Sequence, residues 1–178
     1  MAGRTLLATA DLVGRERYSE LALFQALGKR TLQATSPPVA VALSAAARGH
    51  AWRARVLEEL LPVSLGLPGV DEATRSPGSA FDEALERLTA ERDDALLAAA
   101  LAKVLYPAML GSYRAHLVSC SEASDAPVAL ALRRVIADLE FQADELYVLV
   151  DDEGTPRGSA AEVARLLERA GGPFGSIV

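Results

Sequence analysis

Glu20, the pair His50 and Arg53, the pair Tyr106 and Tyr113, and Asp138 each interrupt an otherwise apolar stripe within a stretch of helical spacing. Gathered at one centre, they offer two carboxylates, an imidazole, a guanidinium and two phenols. Two kinds of chemistry follow. Glu20, His50 and Asp138 have the donor types of a facial triad, two acids and an imidazole with open positions, and are the ligands a single iron or manganese ion would take. The alternative needs no metal or cofactor. A guanidinium donates in a planar fork to two carboxylates, so Arg53 can replace a cation between Glu20 and Asp138, with His50 and the two tyrosines completing the hydrogen bonds. Arg53 in the same pocket argues against the metal, and a binding centre without metal is the preferred reading.

Each residue also has a plainer interpretation. His50 on an apolar stripe suits a satisfied core histidine, and Tyr106 and Tyr113 suit core fillers whose hydroxyls reach a polar partner. Arg48, Arg53 and Arg55 alternate around one helix, which gives Arg53 a surface alternative. His116 is read as exposed on a helix flank, and Cys120 as an inert thiol, since no His or Asp spacing supports a catalytic triad.

Four long helices must position these groups. The first is expected from Leu6 to Gln33, with Val13, Glu20, Phe24 and Leu27 facing inward. Thr35-Ser36-Pro37-Pro38 ends it and starts the second, with Ser36 as cap and Pro37 in the first turn, where its missing N–H costs nothing. The second runs to about Leu61 and turns Leu43, Ala47, His50, Ala54 and Leu57 to one side. From Val63 to Gly78 a Gly- and Pro-rich connection is expected to run outside the bundle and cover a site. A short helix from Ser79 precedes a break near Ala90 to Asp94. The third long helix then reaches Leu117 with Ala99, Ala102, Tyr106, Leu110 and Tyr113 inward, and Pro107 is expected to bend it and open space beside Tyr106. Ser124 or Asp125 caps the fourth, which extends from Pro127 to about Val148 with Leu132, Val135, Leu139, Gln142 and Leu146 inward. After the acidic run Asp151-Asp152-Glu153, a final helix from Ser159 to Ala170 is expected to pack on the outside. The chain reads as one domain over residues 1–178, with a bundle core at 6–149 and a C-terminal short helix and tail at 150–178.

Composition agrees with an all-α fold. The 178 residues are 51% hydrophobic and only 5% aromatic, which implies a core of Ala, Leu and Val in closely approaching helices. A net charge of -6 without a continuous basic patch makes nucleic acid a poor partner. One cysteine excludes an internal disulfide and a Cys-based zinc site and fits a reducing, cytoplasmic setting. Met1 to Ala10 lacks a signal-type apolar run, and the stretch from Ala95 to Leu110, broken by Lys103 and Pro107, is read as too short to span a bilayer, so no membrane association is expected.

Tyr18-Ser19-Glu20-Leu21-Ala22-Leu23-Phe24, followed by a second inward helix with polar residues three apart, resembles the ferritin-like superfamily. The chain looks most like small actinobacterial ferritin-like proteins related in fold to di-iron tRNA hydroxylases. The resemblance implies an antiparallel four-helix bundle with short extra helices. In that family the first and third helices each supply a carboxylate, and the second and fourth each supply Glu-x-x-His, together surrounding two metal ions. Matching positions here are Glu20, His50-Ala51-Trp52-Arg53, Tyr106, and Asp138-Leu139-Glu140-Phe141. Only Glu20 and Asp138 keep a carboxylate, so the set that neutralises two iron ions is missing.

Three functions are therefore expected in order. The first is a non-catalytic binding or interaction protein that has lost its di-metal site, a homodimer or a partner-protein binder. Small residues such as Ala45 to Ala47 and Ala98 to Ala100 are expected to let helices approach closely. The second is a metal-dependent oxidoreductase of the hydroxylase type with a reduced ligand set. The third is a carrier or cofactor-independent enzyme holding a small apolar ligand beside Pro107, near Tyr106, His50 and Glu20.

Overall fold

The computed structural model describes residues 5–63, 67–121, 124–150 and 159–175. The acidic run expected at 151–153 and residues 64–66 of the connection after the second helix lie outside them. Every regular element among the described residues is helical.

Helix α1 spans Leu6–Thr31, and its Thr5 side chain accepts the N–H of Ala8 at 3.2 Å. Helix α2 spans Pro37–Glu58. Ser36 occupies its cap position but makes no side-chain cap bond. Asp94 instead holds the chain just before the helix: its Oδ2 accepts the N–H groups of Thr35 at 2.7 Å and Ser36 at 2.8 Å, while Oδ1 meets Arg30 at 3.3 Å. Asp125 likewise gives no side-chain cap to its own helix; it accepts instead from the N–H of Ser121 at 2.7 Å.

The connection after α2 contains a short helix, α3, Val70–Ala73. It docks against the end of the first hairpin, where Ala73 packs with Ala10, Val13, Leu57 and Leu61, and it does not lie over the polar centre. A β-carbon on Gly14 would sit 2.0 Å from the Ala73 carbonyl oxygen, so glycine is what permits this approach. Helix α4, Ser79–Ala90, is followed by a break that Asp93 closes by capping α5, Asp94–Ala100, through the N–H groups of Ala95 and Leu96.

Pro107 distorts what comes next. It lacks an N–H, and its ring crowds the carbonyl four residues earlier. A π-helical stretch, Leu101–Leu105, absorbs the strain before α6, Tyr106–Ser119, and the Tyr106 N–H bonds the carbonyl of Leu101, five residues back. The extra residue rotates the inward face. Leu97, Ala98 and Leu101 are buried before it and Tyr106, Leu110 and Tyr113 after it, while Ala99, expected inward, is half-buried. The continuous helix Asp94–Ser119 has 26 residues and a mean hydropathy of 1.5 in its most apolar window, so it is long and apolar enough to cross a membrane by length and composition alone. This corrects the reading that the segment is too short. More than half of that window is buried against the rest of the chain.

Helix α7 spans Ala126–Tyr147 and α8 spans Ser159–Arg169. Side-chain pairs fix the chain directions. Arg17 meets Glu58 and Glu20 meets Arg53, so α1 and α2 are antiparallel. Glu16 meets His116 and Glu20 meets Tyr113, which sets α6 antiparallel to α1. Arg53 reaches both Asp138 and Gln142, and Gly49 abuts Gln142, which sets α7 antiparallel to α2.

The C-terminal helix is no outlying appendage. Ala160, Val163, Leu166 and Leu167 of α8 are buried in the main apolar cluster, and Phe174 beyond it lies fully buried, its ring 4.5 Å from that of Tyr113. Ala46, Ala47, Ala98 and Ala100 are also spent inside this core, so close helix approach there occurs within the chain. Phe24, expected inward, is 40% exposed.

Candidate functional site: a buried arginine-centred network

Four helices bring Glu20, His50, Arg53, Tyr106, Tyr113 and Asp138 together. Glu20 comes from α1, His50 and Arg53 from α2 one turn apart, the tyrosines from α6 two turns apart, and Asp138 from α7. All but Asp138 are fully buried, and the Asp138 side chain is 33% exposed.

Arg53 sits at the middle. Its Nε donates to both Glu20 oxygens at 3.1 Å, and its Nη1 donates to Asp138 and, at 3.1 Å, to Gln142 Oε1. The surface alternative for Arg53 is thereby excluded. Burial works against its charge, yet the Glu20 carboxylate beside it holds its pKa above the ordinary value. Burial alone would raise the Glu20 pKa, but Arg53 and His50, together with hydrogen bonds from His50 and Tyr113, bring it below its ordinary value. Glu20 is thus an ionised carboxylate at neutral pH.

His50 lies directly against that charge. His50 Nδ1 lies 2.6 Å from Glu20 Oε2, and burial followed by the neighbouring Arg53 lowers the His50 pKa. Nδ1 also lies 2.9 Å from Arg53 Nη2, so this nitrogen faces a carboxylate and a guanidinium donor at once, while Nε2 lies 3.1 Å from the Tyr106 hydroxyl. Tyr113 donates to Glu20 Oε1 at 2.6 Å. Burial raises the pKa of both phenols, and Glu20 raises that of Tyr113 further, so both remain proton donors.

A second polar pair lies one turn along α1. Glu16 Oε1 is 2.7 Å from His116 Nδ1, and both residues are buried. His116 is therefore a core residue, contrary to its expected exposure. It stands three residues after Tyr113, on the same face of α6, and Glu16 stands four before Glu20. Those two intervals are the sequence signal that identifies the pair. Glu16 Oε2 has no hydrogen-bond partner, and burial raises the Glu16 pKa despite the opposing effect of His116. Cys120 is half-buried, with its Sγ 3.4 Å from the His116 carbonyl oxygen.

The donor set does not fit a two-metal centre. Glu20 and Asp138 are held by the Arg53 guanidinium, and among the described residues no group of three or more His, Cys, Asp or Glu is placed to hold a metal ion. The space expected beside Pro107 also differs from the sequence reading. A cavity of about 640 Å³ lies there, lined by Val104 of the π-helical stretch, Ala108 and Gly111 of α6 and Ala164 and Leu167 of α8, and not by Tyr106, His50 or Glu20. No protein-family model, curated protein or solved structure matches the chain.

Proposed function

We propose that this chain is a ferritin-like antiparallel four-helix bundle whose metal cage has given way to an internal ion-pair network, and that it serves as a non-catalytic binding or interaction protein. The carrying observation is Arg53, buried between the Glu20 and Asp138 carboxylates. One guanidinium supplies fixed positive charge where a metal-carboxylate bundle would place cations, and its planar fork orients both acids.

The network is closed on itself. Both oxygens of Glu20, both ring nitrogens of His50 and the hydroxyls of Tyr106 and Tyr113 are engaged with one another or with Arg53, and of the six residues only Asp138, 33% exposed, reaches the surface. Its role in this reading is to hold four helices in register. Contact with a partner protein or a second copy would then fall to the outer faces, where Val41 and Trp52 of α2 and Phe141 of α7 are exposed.

Elemental analysis of protein purified without chelators, combined with light scattering, tests the proposal. Substoichiometric iron, manganese and zinc are expected, with a mass above that of the monomer or a captured partner. A stoichiometric metal ion would overturn it in favour of the hydroxylase reading.

A further inference from the structure

We propose that a cavity between α1 and α4, separate from the buried network, binds a small organic anion with an apolar or planar body. The cavity holds about 560 Å³. Tyr18, Ala22 and Leu85 give it an apolar side, and three cations line it: Lys29 and Arg30 from the last turn of α1, and Arg92 from the segment after α4.

The cations set this cavity apart. Arg15, Arg17, Arg53, Arg55, Arg75, Arg87, Arg114 and Arg169 are all engaged by carboxylates. Lys29 and Arg92 form no ion pair or hydrogen bond among the described residues, and both stand exposed at this one opening. Arg48, Arg133 and Arg134 form none either, so what distinguishes Lys29 and Arg92 is that they line one cavity together with the buried Arg30.

Arg30 supplies the independent observation. Only 2% exposed, it is oriented by Asp94 at 3.3 Å and Gln33 at 3.2 Å, yet its Nε–H has no acceptor. A buried donor without a partner is costly unless something completes it, and an anionic oxygen is the strongest completion available. Lys29 and Arg30 also offset the dipole at the end of α1, but that accounts for neither the arrival of Arg92 from another segment nor the orphaned donor. Glu86 is the one carboxylate in the lining, and it works against an anion. The ligand class is thus a carboxylate or phosphate monoester, its charged end at Arg30 and Arg92 and its body against Tyr18 and Leu85.

Amide-resolved NMR titration of the full chain with phenyl phosphate, benzoate and inorganic phosphate tests this. Saturable shifts at Gln25, Lys29, Leu85 and Thr89 are expected with the first two probes, and weaker binding with inorganic phosphate, which lacks the body. Lys29→Gln with Arg92→Gln, both at exposed positions, should weaken binding roughly tenfold or more, and Glu86→Gln should tighten it. The absence of saturable shifts with every probe, or equal affinity in the double variant, would overturn the proposal. Inorganic phosphate binding as tightly as phenyl phosphate would overturn the assignment of an apolar body.

Discussion

Glu16 and Glu20 stand one turn apart on α1, both fully buried, and their environments drive their carboxyl groups in opposite directions. Glu20 is ionised between a guanidinium, an imidazole and a phenol. Glu16 has His116 alone, leaves one oxygen unpaired, and feels the negative charge of Glu20.

This contrast fixes the sign of two pH effects. The Glu20 pKa falls on folding, so its stabilising contribution is present above its ordinary value of 4.5 and is lost as pH drops through the lower folded value. The Glu16 pKa rises, so its contribution is present below 4.5 and is lost as pH climbs through the higher folded value. Glu16→Gln mimics the protonated acid and should flatten the decline above 4.5 without altering the acid limb. Urea denaturation at stepped pH measures both limbs, and parallel wild-type and variant curves would contradict the assignment.

Arg53→Met should destabilise the fold by about 3–5 kcal/mol, because it strands Glu20 in the core without its cation. Adding Glu20→Gln should restore part of that loss, so the double variant loses less than the two single changes summed. A double-mutant cycle of denaturation free energies reads this coupling. An unchanged melting temperature for Arg53→Leu would rule the network out as a structural element.

Tyr113→Phe removes a donor from a buried carboxylate and should cost about 1–3 kcal/mol. It should also raise the pH at which Glu20 titrates, which carbon-detected NMR of the glutamate carboxyls would follow. Tyr106→Phe deprives only a neutral imidazole nitrogen and should leave the Glu20 titration nearly in place.

Two helical glycines should respond oppositely to alanine. At Gly49 the new β-carbon would lie 1.6 Å from Gln142 Nε2, which forces that side chain away from Arg53 and costs about 1–3 kcal/mol. At Gly28 it meets nothing within 4 Å and should stabilise α1 by about 0.5–1 kcal/mol. Thermal unfolding of the two variants compares them directly, and a shared sign would show that helix propensity outweighs packing at Gly49.

Helix positions were largely legible in the residues themselves because they depend on local rules. Apolar spacing and the breakers Pro37, Pro127 and Gly78 place α1, α2, α4 and α7 within a few residues of where they fall. Inward direction was equally legible for Glu20, His50, Tyr106 and Tyr113, each of which continues an apolar stripe. Local rules misled where a distant group replaced a near one. Ser36 takes the cap position of α2 but its side chain makes no cap bond, and an Asp94 carboxylate from α5 instead binds the N–H groups of Thr35 and Ser36, which no neighbouring spacing encodes.

By itself, then, the sequence determined an all-helical chain with a line of polar residues along its inner faces, since helical period and side-chain type are properties of neighbours. Only the tertiary structure decided that Arg53 turns inward, that His116 pairs with Glu16, and that Phe174 closes against Tyr113. Each of those outcomes depends on which helices face one another, and a buried charge is tolerable only when its partner arrives from another part of the chain.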